Sequence, residues 1–478
     1  MKKRWKSIIA IICMFSLFLC GCGSTEEKKE SYETTGTNES RGTNDSQGTN
    51  ESKGTNESQE MSATAAESAS GKEDALAEGE LTLYCMADDV KVNQYIASFR
   101  TKYKNIKINK TTFDDSEQMD ERVKTELNAG GGPDIIIFSE QNNLDVLSMA
   151  KTGAFLALDD KAANDVLLDA DAYLPGTFEA GKVDGNLYIL PLTFSVPFLT
   201  YDKTAALGFE PATVIGFEEY CKAIASDAER LQEDDAHATL YCWDYFKAIF
   251  DAAQVYDISR EEQSITIHSE GLRLAVEEYT QFVKQVEKLN NVLTLYIKAD
   301  TDMAERITFQ YHTNPDVTHY VWFWENIYRE AGAELGLSLV GKADGSGVSA
   351  IASSYGVVTR NAAPYAYEFL RTAMDTDANS GKQAEYAMSL KKENIAYQID
   401  RHRYASSTYQ SIQMKGLTDE MAEELTEFYN SITEVVIDNP VLRSMCKKSF
   451  NPYAYYGSST YEECYQQFEQ KLNLYVGE

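Results

Sequence analysis

The segment from residue 81 to residue 138 constrains the fold most, because three apolar runs of strand length alternate there with two runs of helical period. Leu81-Thr-Leu-Tyr-Cys85 alternates and is bounded by polar residues, so it reads as a strand. A helix over Lys91–Tyr103 would put Tyr95, Phe99 and Tyr103 on one face, and Ile106–Phe113 reads as a second strand. Asp115 and Gln118 suit the N-terminal cap of a helix in which Met119, Val123 and Leu127 recur every four residues. Asp134-Ile-Ile-Ile-Phe138 is a continuous apolar run of the kind buried on both faces of a parallel sheet. Strand, helix, strand, helix, strand is a βαβ layout, and the expected class is α/β. Ligands of such sheets settle beyond the carboxyl ends of the strands, where helix N-termini point. Asp88 and Asp89, and Ser139 to Asn143, are therefore candidate site loops.

The N-terminus has a different composition. Lys2, Lys3, Arg4 and Lys6 precede an apolar run from Ile8 to Leu19, short for a membrane span and suited to a secretory signal. Leu19-Cys20-Gly21-Cys22 resembles a bacterial lipobox, which implies lipid attachment at Cys22. From Gly23 to Gly79 a polar hexapeptide period appears, as in Gly36-Thr-Asn-Glu-Ser40 and Gly48-Thr-Asn-Glu-Ser52. These units hold no apolar residue to stack into a solenoid core, so they read as a tether with a reach of roughly 40 Å. The expected organisation is thus 1–22 signal peptide, 23–79 tether and 80–478 folded body.

Lys and Arg number 44 against 75 Asp and Glu, a formal charge of −31. Nearly all of it belongs to the body, which keeps a net charge of about −27. Such a balance excludes nucleic acid as a partner, since phosphate backbones need clustered Lys and Arg. Of eight cysteines, Cys85, Cys221, Cys242, Cys446 and Cys464 lie in the body, with no C-x-x-C spacing for a zinc site or a disulfide framework. The five histidines form no H-E-x-x-H, and no metal or other cofactor is expected. Gly130-Gly-Gly132-Pro133-Asp134 lacks the Lys-Ser/Thr of a phosphate loop, and no Gly-x-Ser-x-Gly elbow is present.

Four stretches in order carry a family resemblance: Ala129-Gly-Gly-Gly-Pro-Asp-Ile-Ile136, Gly181-Lys-Val-Asp-Gly-Asn-Leu-Tyr-Ile-Leu-Pro191, Leu199-Thr-Tyr-Asp-Lys203, and Gly208-Phe-Glu-Pro211 ahead of Phe217-Glu-Glu-Tyr220. Together they resemble the family 1 extracellular solute-binding proteins, the sugar-binding lipoproteins of bacterial ABC importers related to maltose-binding protein. Val348–Arg371 and a helix over Thr460–Tyr475 fit as well, while the usual Gly-Lys-x-Ala-Met entry is replaced by Glu305-Arg-Ile-Thr-Phe-Gln310. The resemblance implies a periplasmic-binding-protein-like fold with two lobes, a hinge and a ligand cleft between them. It divides the body into 80–193 plus 348–395 and 194–347 plus 396–478. It also implies a carbohydrate ligand, permease subunits as partners, an extracytoplasmic position at the membrane, and a monomer with no catalytic step.

Sugars present apolar C–H faces and a rim of hydroxyls, so aromatic rings with carboxylates or amides are the residues to look for. Trp322 and Trp324, in Tyr320-Val-Trp-Phe-Trp-Glu325, sit where family members place ligand-stacking tryptophans, and a strand there would turn both to one face. Core packing is the rival explanation. Trp243 and Tyr245 fall near another contact loop of the family. Thr193 and Ser195 follow Pro191 at the lobe crossing, Phe138, Glu140 and Gln141 follow the third strand, and Asp88 closes the first strand's loop. Tyr355, beside Ser353 and Ser354, completes the candidates, whereas the Tyr453–Tyr456 group reads as packing. A tethered glycosidase or a solute-sensing partner of a membrane receptor would draw on similar residues.

Overall fold

The computed structural model describes residues 78–89, 91–163, 165–204, 209–222, 245–259, 264–288, 309–312, 317–375, 388–409 and 412–477. The signal, Cys22, nearly all of the tether, Cys242 and Trp243 lie outside the described residues.

β1 (Glu78–Met86), β2 (Asn105–Phe113) and β3 (Ile135–Ser139) are joined by α1 (Lys91–Lys102) and α2 (Ser116–Asn128). α3 (Val146–Lys151), α4 (Asp159–Ala162), the hairpin of β4 (Lys182–Val183) and β5 (Asn186–Leu187), and β6 (Ile189–Ser195) follow. Next come β7 (Phe198–Asp202), β8 (Val214–Ile215), α5 (Tyr245–Ala253), β9 (Tyr256–Ser259), β10 (Ser264–Ile267), α6 (Ser269–Lys288), β11 (Phe309–His312), α7 (Val317–Glu330) and β12 (Leu335–Val340). The chain continues through β13 (Ser349–Val358), α8 (Ala366–Asp375), β14 (Met388–Ser389), α9 (Lys392–Arg403), β15 (Ser407–Tyr409) and β16 (Ile412–Met414). It ends with α10 (Asp419–Asn430), β17 (Glu434–Val436), α11 (Pro440–Ala454) and α12 (Tyr461–Gly477).

The expected βαβαβ unit is present, with boundaries moved by one to three residues. β1 pairs in parallel with β2 on one side and β3 on the other. Right-handed crossovers put the two connecting helices on opposite faces. α1 buries Val92, Tyr95 and Phe99 on one face, where Phe99 meets Phe369 of α8 at 5.5 Å between ring centroids. α2 buries Met119 and Val123 on the other, over Ile136 and Phe138. Asp115 caps α2 by accepting from Glu117 N at 2.7 Å and Gln118 N at 3.3 Å. The glycine run then explains itself structurally. Gly130 and Gly132 hold φ of 77° and 111°, a region open chiefly to glycine, and deliver Asp134 to a pinning position. Asp134 accepts from Thr82 N (2.7 Å), Thr82 Oγ1 (2.6 Å) and Ala363 N (2.6 Å), tying β1 to β3 and to the turn before α8. In the β4–β5 hairpin, Asp184 and Gly185 both take positive φ (50° and 80°), the signature of a tight type I′ turn.

The large sheet runs β14-β6-β13-β3-β1-β2, with β17 also paired to β13. β13 is antiparallel to β6 and β3, and β17 lies beside Ser349–Ile351 where β3 lies beside Ser354–Val358. A second, four-stranded sheet runs β11-β7-β12-β8. The chain leaves the large sheet between Ser195 and Phe198 and returns between Val340 and Ser349; it leaves again after β14 for α9, β15, β16 and α10, returns with β17, and leaves once more between Val436 and Pro440. After that departure α11 and α12 pack with α5, α6 and the apolar residues Leu199 and Ile215 of the small sheet. β17 thus brings a strand from the 396–478 stretch into the large sheet.

Candidate ligand-binding edge

β1, β3 and β6 end at the same edge of the large sheet, where β13 begins. The loops after β1 and β3 meet there: Gln141 donates through Nε2 to Asp88 Oδ2 at 2.9 Å, and both side chains are exposed. Glu140, half-buried, donates its backbone N–H to Ser353 O at 3.0 Å, joining the β3 loop to β13. Thr193 Oγ1 lies 2.8 Å from Ser353 Oγ and 2.7 Å from Ser354 Oγ, a buried cluster of three hydroxyls. The register shift of β13 against β6 at Ser354 is what turns these hydroxyls together. Ser195, two residues along β6, is 1% exposed, and its hydroxyl has no hydrogen-bond partner. A buried hydroxyl left unmade is costly unless something satisfies it, so Ser195 stands out at the first sheet crossing.

Beneath the edge, Asp120 of α2 holds the β3 loop. Its Oδ1 accepts from Asn142 Nδ2 and its Oδ2 from Asn143 N, both at 2.8 Å. Burial raises the Asp120 carboxyl above the usual range, and those two donors offset part of the rise. Asn142 Oδ1 in turn accepts from Ser139 N at 2.9 Å, closing the loop on itself. Asp89 accepts from Lys91 N at 3.1 Å at the start of α1. Burial pushes its carboxyl up to about 6, the Lys91 bond opposes this, and neighbouring Asp88 adds to the rise.

Asp88, Glu140, Gln141 and Thr193 are therefore linked through Ser353 and Ser354, and Ser195 continues the same strand. Other candidates take different places. Phe138 and Tyr355 are buried, with ring centroids 5.7 Å apart, and support the edge from within the core. Tyr245 opens α5, and Trp243 lies outside the described residues. Trp322 and Trp324 correct the strand expectation, since both lie on α7. Residues two apart on a helix point roughly 200° apart, so the pair shares no face. Trp322 is 6% exposed and donates Nε1–H to Lys415 O at 2.7 Å, and Trp324 is 4% exposed against Tyr320 and Phe323. Val317, Val321, Trp324 and Tyr328 follow a helical period that the local Trp-Phe-Trp alternation masked.

Residues absent from the first set of candidates complete the edge: Asp120, Ser353 and Ser354, with Asn142 from within the Ser139–Asn143 candidate loop. Ser353-Ser354 was visible as a polar break in an apolar strand, whereas nothing in sequence pairs Asp120 with Asn142. Among the described residues no group of three or more His, Cys, Asp or Glu is arranged to hold a metal ion. Cys85, Cys221, Cys446 and Cys464 are buried free thiols, and burial pushes Cys85 up to about 12. No described helix is long and apolar enough to cross a membrane.

A family model for bacterial extracellular solute-binding proteins matches residues 94–388. The chain belongs to this family. Solute-binding proteins of this kind bind and present solutes rather than transform them, and the family description places them outside the cytoplasm. No curated protein sequence matches the chain. Among solved structures, the sugar-binding protein MalE of Xanthomonas citri aligns with a TM-score of 0.58 at 14% identity, covering 83% of this chain and 97% of that one. The cyclic α-maltosyl-1,6-maltose binding protein of Arthrobacter globiformis aligns at 0.54 and 15%, covering 84% and 99%. An ABC transporter associated binding protein of B. animalis subsp. lactis Bl-04, solved with β-1,6-galactobiose, aligns at 0.53 and 16%, covering 84% and 98%. At these identities the likeness establishes the fold, that of the two-lobe solute-binding proteins.

Proposed function

We infer that this solute-binding protein is the lipid-anchored capture subunit of an ABC importer and that it takes a carbohydrate between two lobes. The reading divides the body into 80–193 plus 348–395 and 194–347 plus 396–478, with the crossings as hinge. Closing two bodies on a ligand desolvates it, and reopening hands it to a permease. The observation that carries the reading is the edge itself: carboxylate, amide and hydroxyl groups gathered where the strands end and where the chain first crosses between sheets. Asp88, Glu140, Gln141, Thr193 and Ser195 are assigned to the hydroxyl rim of the sugar. Trp322 and Trp324 are assigned to packing. The solved proteins of like fold that are named for maltose-type or galactobiose ligands support the choice of carbohydrate. Lipid attachment at Cys22, with the 23–79 tether behind it, would hold the protein at the outer face of the cell membrane as a monomer.

Calorimetric titration of the purified protein with a panel of mono-, di- and oligosaccharides tests this reading. Saturable binding without turnover is expected, and Gln141→Ala or Ser195→Ala should each weaken it about fivefold, near 1 kcal/mol. Heat from none of the sugars would sink the carbohydrate assignment, and release of hydrolysed product would replace it with a glycosidase. Cys22→Ser should free the protein from the membrane fraction; a variant that stays bound would contradict the anchor.

A further inference from the structure

α2 and α3 leave between them a groove of about 750 Å³, a volume suited to a small ligand. Its far end is held in shape by three bonds around the turn that follows β13. Thr359 Oγ1 donates to Pro133 O at 2.7 Å, Asn361 Nδ2 to Gly130 O at 3.2 Å, and Arg360 N to Ala154 O at 3.1 Å. The near end reaches Asn143, whose backbone N–H is held by Asp120, and Val441 in the first turn of α11. Leu127 and Met149 supply apolar lining between the two ends.

Charge decides what such a groove accepts. Three charged residues line it: Lys124, Asp145 and Arg360. Asp145 is already engaged, accepting from Ser148 N at 3.0 Å and from the Tyr475 hydroxyl. Lys124 and Arg360 are exposed, and neither side chain makes a hydrogen bond or ion pair among the described residues. Lys124 acts on Asp120 only at longer range. Lys124 comes from α2, whereas Arg360 places Nη1 beside Gly153 at the exit of α3, so the cations belong to different walls. In a body with a net charge of about −27 the groove is a local reversal of sign, and a cleft concentrates the field of the charges that line it. A single sulfate or phosphate ion would leave most of this volume to water. An organic anion can cover Leu127 and Met149 and still present acidic groups to both cations.

We propose that the α2–α3 groove is a second ligand site, separate from the β3–β13 edge, that takes a small organic anion with two or more negative charges. Lys124 and Arg360 hold its acidic groups. The site goes beyond the capture function and does not rest on it, because none of the residues assigned to the sugar rim lines the groove.

Calorimetric titrations and thermal melts of the purified full chain at fixed ionic strength test the proposal, with citrate, succinate, glucose 6-phosphate, glucose and sulfate as probes. Saturable heat and a raised melting temperature are expected from at least one of the three organic anions. Lys124→Gln/Arg360→Gln should weaken that binding at least tenfold, while its melting temperature without ligand and its titration with neutral sugars match wild type. The anion heat is read without any sugar present, so it stands or falls apart from the carbohydrate assignment. Saturation by none of the organic anions overturns the proposal, as does equal affinity in wild type and variant. Sulfate that stabilises as well as the best organic anion would reduce the groove to general anion screening, and glucose binding lost in the variant would overturn the anionic class.

Discussion

Tyr475 donates its hydroxyl to Asp145 Oδ2, joining the last helix to a helix cap on the large sheet. The same hydroxyl accepts from Asn439 Nδ2 at 2.8 Å. Asp145 caps α3 through Ser148 N at 3.0 Å, and Asn439 caps α11 through Val441 N and Leu442 N at 3.1 Å each. One phenol therefore ties two helix caps, one on the large-sheet layer and one on the layer of the small sheet, beside the passage between Val436 and Pro440. A bond across a crossing holds only one arrangement of the parts it joins.

Tyr475→Phe removes both bonds and leaves each cap intact. Hydrogen bonds to charged acceptors contribute about 1.5–3 kcal/mol, so a loss of about 2 kcal/mol in urea unfolding at neutral pH is expected. An unchanged denaturation midpoint would show that the tie contributes nothing.

Local order was legible in the sequence, and long-range polar contacts were not. β1, α1, β2, α2 and β3 follow from apolar period alone, because each buries one face against its sequence neighbours. α7 was misread because Trp-Phe-Trp imitates a strand over three residues, while the stripe that decides it spans Val317 to Tyr328. At the edge, Asp88, Glu140 and Gln141 followed from the rule that strand ends face ligand, and Thr193 from the family resemblance at the crossing after Pro191. Asp120 with Asn142 and Tyr475 with Asp145 lie 22 and 330 residues apart, and only the folded backbone brings those polar atoms into line.

Trp324 gives a direct contrast between packing and ligand stacking. Trp324→Ala should lower stability by about 3–5 kcal/mol, the usual cost of emptying an aromatic core position. Trp324→Phe should keep sugar affinity within about twofold. Selective loss of binding in the phenylalanine variant, at unchanged melting temperature, would return this tryptophan to the ligand.

Asp89 predicts a pH dependence with a definite sign. Its folded carboxyl titrates at about 6, above the ordinary value, so the folded state holds the proton more tightly than the unfolded chain. The resulting stabilisation is full below about pH 4 and is lost as pH rises through about 6. Asp89→Asn keeps an acceptor for Lys91 N and cannot ionise. It should exceed wild type by about 1–2 kcal/mol at pH 7.5, discounted for partial exposure, and match it near pH 4. Parallel stability curves from pH 4 to 8 would refute the assignment.

Asp120 makes the support of the edge separable from contact with ligand. Asp120→Ala strands the buried Asn142 amide and the Asn143 N–H, a cost of about 1–3 kcal/mol in stability. The loop carrying Glu140 and Gln141 loses its anchor at the same time, so sugar affinity should fall several-fold although Asp120 reaches no ligand. Asp120→Asn keeps one acceptor oxygen, enough for Asn142 Nδ2 or Asn143 N but not both, and removes the charge that burial disfavours, so both quantities should return part of the way to wild type. Thermal melts and calorimetric titrations on the pair of variants check this together. Affinity that stays low in the asparagine variant at restored stability would place the Asp120 charge, rather than loop geometry, in control of the edge.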